Sequence, residues 1–198
     1  MRTSRSFPVD SDLQSYLLQQ ANASHSYAEV GASQTGFPTG YDHDYNRFHL
    51  GKGRLAFQQA RRAIEEWRPF ANGWTEVYPK EAPLAVGTTV AVLFRLCGLW
   101  WRNSTRIVYV VDEPDRFGFA YGTLVGHVER GEEYFGVEMD DEGEVWFRLE
   151  AFSRPAYWAT RLTYPLARFF QRRFVRAAGR AMQAAVREGR FQAAELLV

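Results

Sequence analysis

The residues best suited to chemistry lie around one loop that joins two apolar strands. His127 is followed after five and six positions by Glu132 and Glu133. Tyr121 and Thr123 precede it on an aromatic strand. A histidine with a carboxylate partner can transfer protons near neutral pH, and a neighbouring hydroxyl can orient a substrate. The grouping therefore predicts either an acid–base site or the polar end of a binding pocket.

Side-chain alternation divides the two carboxylates between opposite faces of their strand. Successive side chains of a strand point to opposite sides, so only one of Glu132 and Glu133 can enter a cavity. In a purely structural interpretation, His127 bonds backbone groups of the loop, and the inward carboxylate forms an ion pair with Arg154 or Arg148. Ionic networks of this kind are often structural, so the catalytic and structural interpretations both stay open.

Two further patterns contain the residue types of functional sites, but they lack the spacing or the structural context that such sites require. Asp42, His43, Asp44 and His49 resemble metal ligands, but neither a helical histidine pair nor a paired-cysteine motif sets their separation. Residues 51–56 have the glycines of a dinucleotide phosphate loop, yet they do not follow a strand inside a βαβ unit. We therefore expect neither a metal nor a cofactor.

The strand that carries Tyr121 and Thr123 has one almost bare face. Residues 117–123 place three aromatic side chains and a threonine on one side, and only Gly118, Ala120 and Gly122 on the other. Glycine weakens a strand interior, and it is usually kept where a backbone, a helix or a ligand must approach closely. We expect the functional site at the end of this strand.

The composition is that of one globular domain. A chain of 198 residues with 46% hydrophobic and 16% aromatic content can bury a core without disulfides or metal ions. Its one cysteine, Cys97, lies in an apolar run and is expected to be buried. A single cysteine, no apolar signal-peptide core and no membrane-spanning stretch together predict a cytoplasmic protein.

Positive charge is concentrated near the C-terminus. Residues 153–190 contain nine arginines and one acidic residue, whereas the whole chain has a net charge of +1. Such a segment is typical of a surface for nucleic acid or an anionic membrane, or of a solvated helix face. The aromatic residues beside these arginines have core spacing, so we do not expect nucleic acid. Peripheral membrane contact stays open.

Hydrophobic periodicity predicts the elements that position the site. A short helix follows Asp10, residues 27–31 indicate a first strand, residues 31–53 indicate a loop, and residues 54–67 have helical spacing. From residue 73 to residue 152, apolar side chains alternate in six successive strands with no helix between them. Consecutive strands joined by tight turns predict an antiparallel meander.

A long amphipathic helix is predicted to end the chain. Ser153 is placed as its N-cap and Pro155 in its first turn, where a missing backbone donor costs little. An apolar stripe then extends from Trp158 to Ala185, with arginines on the adjacent face. A curved sheet and one long helix bury the most apolar surface if the sheet wraps around the helix.

This order of elements resembles the helix-grip fold of the START-like superfamily, which includes lipid carriers, hormone-binding proteins and polyketide cyclases. Several sequence motifs also resemble an uncharacterised family of bacteria and plants. They include Tyr27-Ala28-Glu29-Val30-Gly31, Phe117-Gly118-Phe119-Ala120-Tyr121-Gly122-Thr123-Leu124, Gly126-His127, Gly131-Glu132-Glu133 and Phe152-Ser153-Arg154-Pro155. The resemblance implies an α+β fold with a curved antiparallel sheet of about seven strands around a long C-terminal helix. It implies no particular activity.

The predicted organisation has three parts. Residues 1–26 form an N-terminal extension with a short helix, residues 27–190 form a single START-like domain, and residues 191–198 form a C-terminal tail. The sequence does not predict an oligomeric state.

Three functions are compatible with these features. The leading hypothesis is binding of a small apolar or amphipathic molecule between sheet and helix, with five candidate contacts: Tyr121, Thr123, His127, Glu133 and Arg154. An enzyme on the same fold, a cofactor-independent cyclase, hydratase or hydrolase, would use His127 as base and Glu133 to orient it. The third is an interaction module that uses the arginine-rich face of the last helix.

Overall fold

The computed structural model describes residues 2–156 and 164–195. Trp158, the first residue of the predicted apolar stripe, lies outside the described residues. The boundaries predicted at residues 26 and 190 stay predictions.

The described residues form eight strands and four α-helices. The strands are β1 (Arg2–Ser4), β2 (Asp42–Lys52), β3 (Thr75–Tyr78), β4 (Thr89–Leu96), β5 (Leu99–Glu113), β6 (Arg116–Thr123), β7 (Glu129–Met139) and β8 (Glu144–Pro155). The helices are α1 (Asp10–Gln20), α2 (Ala32–Thr35), α3 (Gly53–Glu65) and α4 (Tyr164–Glu195), with one 3-10 turn at Arg68–Phe70.

All strands belong to one antiparallel sheet. Its order is β2-β8-β7-β6-β5-β4-β3, and the short β1 pairs with β5. Strands β3 to β8 are neighbours in chain order, as expected for strands joined by tight turns. The predicted meander and the predicted helix over residues 54–67 are therefore confirmed.

The first long strand is β2, so the prediction of a strand at residues 27–31 and a loop over residues 31–53 was wrong. β2 pairs with β8 from Asp42 opposite Ser153 to Lys52 opposite Glu144. It forms an edge of the sheet, and charged side chains are common on edge strands because they discourage pairing with other chains. Those polar residues obscure the alternation that reveals an inner strand.

The end of β8 was also misassigned. Ser153 does not begin a helix, because it lies in β8 between Gly131 on β7 and Asp42 on β2. Pro155 is the last residue of that strand, a position where a missing backbone donor costs little. Pairing on both sides holds this segment extended and overrides a sequence typical of a helix start.

Cys97 is exposed, contrary to the prediction that it is buried. It lies with Gly98 between β4 and β5, and both residues have positive φ angles, 51° for Cys97 and 76° for Gly98. The apolar run that contains Cys97 thus includes a tight turn between two strands, which brings the cysteine to the surface.

The core lies between the concave face of the sheet and helices α3 and α4. Four phenylalanines of this core are at most 2% exposed, namely Phe70, Phe119, Phe135 and Phe147. The middle of α4 closes this core with Ala178, Met182 and Val186. Its first turns line a cavity on the same face of the sheet.

The bare face of β6 is covered by the chain's own N-terminal segment. A Cβ atom at Gly122 would overlap the Tyr27 hydroxyl and would approach the His25 ring. Ala120, two residues earlier, packs against Val111 and Tyr134. Gly122 is therefore explained by a tyrosine of the N-terminal segment (residues 24–36), not by a ligand.

Replacing Gly122 with alanine should lower the free energy of unfolding by about 1–3 kcal/mol, because Tyr27 must move to admit the methyl group. Denaturant unfolding would measure the change. The same substitution should cost less in a Tyr27→Phe background, where the hydroxyl is absent. An equal cost in both backgrounds would contradict this explanation.

Candidate ligand-binding site

A cavity of about 380 Å³ lies between the inner face of the sheet and the first turns of α4. Most of its wall is aromatic or aliphatic. The aromatic part comprises Phe70, Trp74, Phe94, Trp101, Tyr121, Phe170 and Phe174. The space predicted between sheet and helix is therefore present, and its wall suits an apolar group.

The polar end of the cavity is built by β7. Glu129, Gly131 and Glu133 occupy alternate positions, so all three face inward. A Cβ atom at Gly131 would overlap the carbonyl oxygen of Phe152 on β8, and its φ angle is +148°. Only glycine fits there, and it leaves a gap between the two carboxylates. We call Glu129 and Glu133 the carboxylate pair.

Glu133 is held by the tyrosine that the sequence placed beside it. The Tyr121 hydroxyl donates a 2.6 Å hydrogen bond to Glu133 Oε2. Burial raises the pKa of Glu133 to about 7, the hydrogen bond from Tyr121 lowers it in part, and the nearby charge of Glu129 adds to the rise. Glu133 can therefore gain or lose a proton near neutral pH.

Glu129 is held from the helix side. The Gln171 side chain of α4 donates a 2.6 Å hydrogen bond to Glu129 Oε1. Burial raises the pKa of Glu129, while Gln171 and the positive charge of Arg168 oppose the rise. Arg168 itself binds both carboxylate oxygens of Asp44 on β2, at 2.5 and 2.6 Å. These contacts tie the first turns of α4 to the rim of the cavity.

His127 lines the cavity but is committed to its own loop. Its Nδ1 accepts a 2.9 Å hydrogen bond from the backbone N–H of Glu129. Burial lowers the pKa of His127 to about 4, so the ring is neutral at physiological pH. Among the described residues, no hydrogen bond joins His127 to Glu133, whose side-chain donor is Tyr121.

Thr123 also lines the cavity, and Arg154 does not. Thr123 Oγ1 accepts a 3.0 Å hydrogen bond from the Gly131 N–H and shares another with Ser26 Oγ. Arg154 is exposed on the other face of β8, where its guanidinium lies 4.3 Å from the Tyr41 ring centre. The structure thus brings four of the five predicted contacts together and leaves Arg154 outside.

Glu132 faces away from the cavity and fastens the N-terminal segment to the sheet. It is 3% exposed. Its carboxylate accepts hydrogen bonds from the Tyr27 hydroxyl at 2.7 Å, the Ser33 hydroxyl at 2.6 Å, the Ser33 N–H at 3.1 Å and the Gly31 N–H. The expected division of the two adjacent carboxylates between opposite faces is therefore observed. The alternative partner Arg148 pairs instead with Glu138 and Glu150.

Sequence reasoning missed three polar residues of the cavity. Glu129 shares the inward register of Glu133, a spacing of four residues that a strand places on one face. Asn103 is 5% exposed on the apolar strand β5, and its Oδ1 is buried without a partner in the described part of the chain. Gln171 lies among the arginines of the last helix, where one more polar residue gives no separate signal. A polar residue at a core position was the available signal for Asn103.

The residues that resembled metal ligands are separated in the fold. His43 Nε2 lies 2.9 Å from the Pro38 carbonyl oxygen, His49 contacts Glu144, and Asp44 binds Arg168. Within residues 2–156 and 164–195, no cluster of three or more metal-ligating side chains was found. No described helix is long and apolar enough to cross a membrane.

Two described arginines of α4 contact other parts of the domain. Arg168 binds Asp44, and the Arg173 guanidinium lies 4.8 Å from the Trp74 ring centre. These two contacts are at the cavity side of the helix. The role of the remaining arginines as an interaction surface stays a prediction.

Comparison with known proteins places the chain in a family. A model described as a domain of unknown function (DUF1990) matches residues 26–181. The chain belongs to the DUF1990 family. Relatives of this DUF1990 protein, all named UPF0548 protein, occur in Dictyostelium discoideum (34% identity; 85% of this chain, 88% of the relative), Deinococcus radiodurans (37%; 87%, 96%) and Arabidopsis thaliana (31%; 70%, 70%). The family therefore extends beyond bacteria and plants.

Two solved structures resemble the chain to different degrees. A Mycobacterium smegmatis protein, Ms6760, aligns with a TM-score of 0.51 over 76% of the DUF1990 chain and 98% of its own, at 13% identity. Human STARD10 is also found, with a TM-score of 0.41 at 10% identity over 87% of this chain and 80% of its own. Together with the observed topology, the predicted α+β class with a long C-terminal helix is confirmed.

Proposed function

We propose that this DUF1990 protein binds a small amphipathic molecule in the cavity between the sheet and α4. The observation that carries the proposal is the cavity itself, which combines an aromatic wall with the polar side chains of Tyr121, Glu133 and Asn103. A volume of about 380 Å³ falls in the range of small-molecule sites.

The polar side chains of the cavity support a ligand-binding function because burying them without a ligand lowers the stability of the fold. Two features oppose folding: the buried carbonyl oxygen of Asn103, which has no partner among the described residues, and the carboxyl group of Glu133, whose pKa is raised by burial. Aliphatic side chains at these positions would avoid both costs. Polar groups aimed into an apolar cavity are typical of sites that orient a ligand.

Mass spectrometry of the freshly purified protein, native and then denatured, tests the proposal directly. We expect a molecule that is released on denaturation. If the protein is isolated empty, titration with the fluorescent probe N-phenyl-1-naphthylamine should show saturable binding at one site. If no molecule is released and the probe does not bind saturably, the proposal is contradicted.

A cavity-filling variant locates the binding. Ala151 lines the cavity opposite Glu133, so Ala151→Phe should reduce the affinity for the probe by about tenfold or more, because the new ring occupies the ligand's space. Ala85→Phe, in an exposed loop, is the matched control and should leave the affinity unchanged. Equal affinities for the two variants would place probe binding elsewhere.

A catalytic function on the same site would rely on Glu133 rather than on His127. Glu133 has a pKa of about 7 and a hydroxyl partner in the cavity, as a general acid or base requires, whereas His127 is neutral and committed to the Glu129 backbone. Incubation of any released molecule with the protein tests this role. Conversion by the wild type that is lost in Glu133→Gln would support it.

A further inference from the structure

We infer that the ligand presents hydrogen-bond donors and a positive charge, as a protonated amine does, to the carboxylate pair Glu129 and Glu133. The inference rests on the proposed function and specifies its ligand class. An apolar body would occupy the aromatic wall, and the ammonium group would lie at the β7 end of the cavity.

The charges that line the cavity are of one sign. Among the described residues that line it there are carboxylates but neither lysine nor arginine. Asp44 is neutralised by Arg168, and Glu132 turns its carboxylate to the outer face. The carboxylate pair is left as the acidic feature of the interior, beside a neutral His127.

Two acceptor atoms of the cavity have no described side-chain donor. Asn103 Oδ1 is buried without a partner among the described residues. The Tyr121 hydroxyl donates its hydrogen bond to Glu133 Oε2, and the other carboxylate oxygen of Glu133, Oε1, has no described side-chain donor. Both polar atoms of the Gln171 amide also have partners, since its nitrogen donates to Glu129 and its oxygen accepts from Arg168. A ligand that supplies donors can therefore satisfy these acceptors, and the two carboxylates favour a donor group that carries positive charge.

An anionic headgroup would be unfavourable in this place. Like charges brought together in a partly buried site repel each other, and the anion would also lose its hydration. An ammonium group gains from the same carboxylates, and aromatic faces of the cavity wall such as Phe170 attract cations as well as apolar chains. The ligand class is therefore a cationic amphiphile, not a fatty acid or a phosphate ester.

Displacement of N-phenyl-1-naphthylamine at pH 8 by three molecules with the same chain and different headgroups tests the inference. The competitors are decylamine, decanol and decanoate, each below its aggregation concentration. We expect decylamine to displace the probe at a concentration at least about tenfold lower than decanoate, with decanol between them.

Glu133→Gln removes one charge while keeping the shape of the side chain. In this variant the preference for decylamine over decanoate should fall by about tenfold. Glu142→Gln removes an exposed charge in the turn between β7 and β8 and should leave the preference unchanged.

The outcomes separate the two proposals. If the probe binds and decanoate displaces it as well as decylamine does, or if Glu133→Gln leaves the preference intact, the assignment of a cationic ligand is overturned and the binding function stands. If the probe shows no saturable binding that Ala151→Phe weakens and no molecule co-purifies, the binding function itself fails.

Discussion

Replacing Glu132 with alanine is expected to lower the free energy of unfolding by about 3 kcal/mol or more. One carboxylate satisfies two hydroxyl donors and two backbone N–H groups of residues 27–33, and the substitution leaves the buried Tyr27 hydroxyl without its acceptor. Hydrogen bonds to a charged group contribute about 1.5–3 kcal/mol each when one partner is removed, although the losses do not add fully.

Equilibrium unfolding in guanidinium chloride would measure the loss. Glu138→Ala is the matched control because Glu138 is also on β7 but forms partly exposed ion pairs with Arg47 and Arg148. The control should change stability by about 1 kcal/mol or less. Hydrogen exchange should also become faster at residues 24–36 in Glu132→Ala. A cost no greater than that of the control would show that Glu132 does not anchor this segment.

Replacing the adjacent Glu133 with glutamine is expected to raise the free energy of unfolding at pH 8, by up to about 3 kcal/mol. The folded pKa of about 7 lies above the ordinary value of 4.5, so the folded protein binds the proton more tightly than the unfolded chain. Wild-type stability from this group is therefore greatest below pH 4.5, falls as the pH rises to 7 and is constant above it. Glutamine does not titrate, and its side-chain oxygen can still accept from Tyr121.

The difference in the free energy of unfolding between Glu133→Gln and the wild type must consequently depend on pH. We expect a small difference at pH 5 and the full gain at pH 8, measured by denaturant unfolding at both values. Comparing two proteins at each pH cancels the titration of the other groups, and Glu142→Gln should show no such increase. A difference that is equal at pH 5 and pH 8 would contradict the raised pKa of Glu133.

The two predictions have opposite signs because the two side chains enter different environments. Glu132 meets four donors and stabilises the fold, whereas Glu133 enters an apolar cavity with one described donor and opposes folding. A residue that lowers stability and faces a cavity is typical of a functional site. This contrast supports Glu133 alone, rather than Glu132 and Glu133 together, as the centre of the candidate site.

Local sequence patterns determined much of this architecture. Alternation over residues 73–152 predicted the meander, helical spacing predicted α3, and the same alternation placed Glu132 and Glu133 on opposite faces. These features depend on a residue's own neighbours, because a strand or helix imposes its period within a few positions. The motifs around Tyr121 and His127 also resembled the family to which the chain belongs.

Contacts between distant segments had no such local signal. The charged strand β2 is extended because it pairs with β8, and Ser153 lies in a strand because it has partners on both sides. The bare face of β6 is filled by Tyr27, and Gln171 reaches Glu129 from a helix that begins after the last strand. None of these pairings is encoded in a periodicity.

The sequence by itself thus determined the class of fold, the strand order of the meander and four of the residues that line the cavity. Only the tertiary structure decided which polar side chains share the cavity, that Arg154 lies outside it, and that β7 presents two carboxylates to it. The physical reason is that periodicity specifies which face a side chain occupies, whereas pKa values, pairing and enclosed volume depend on what packs against that face.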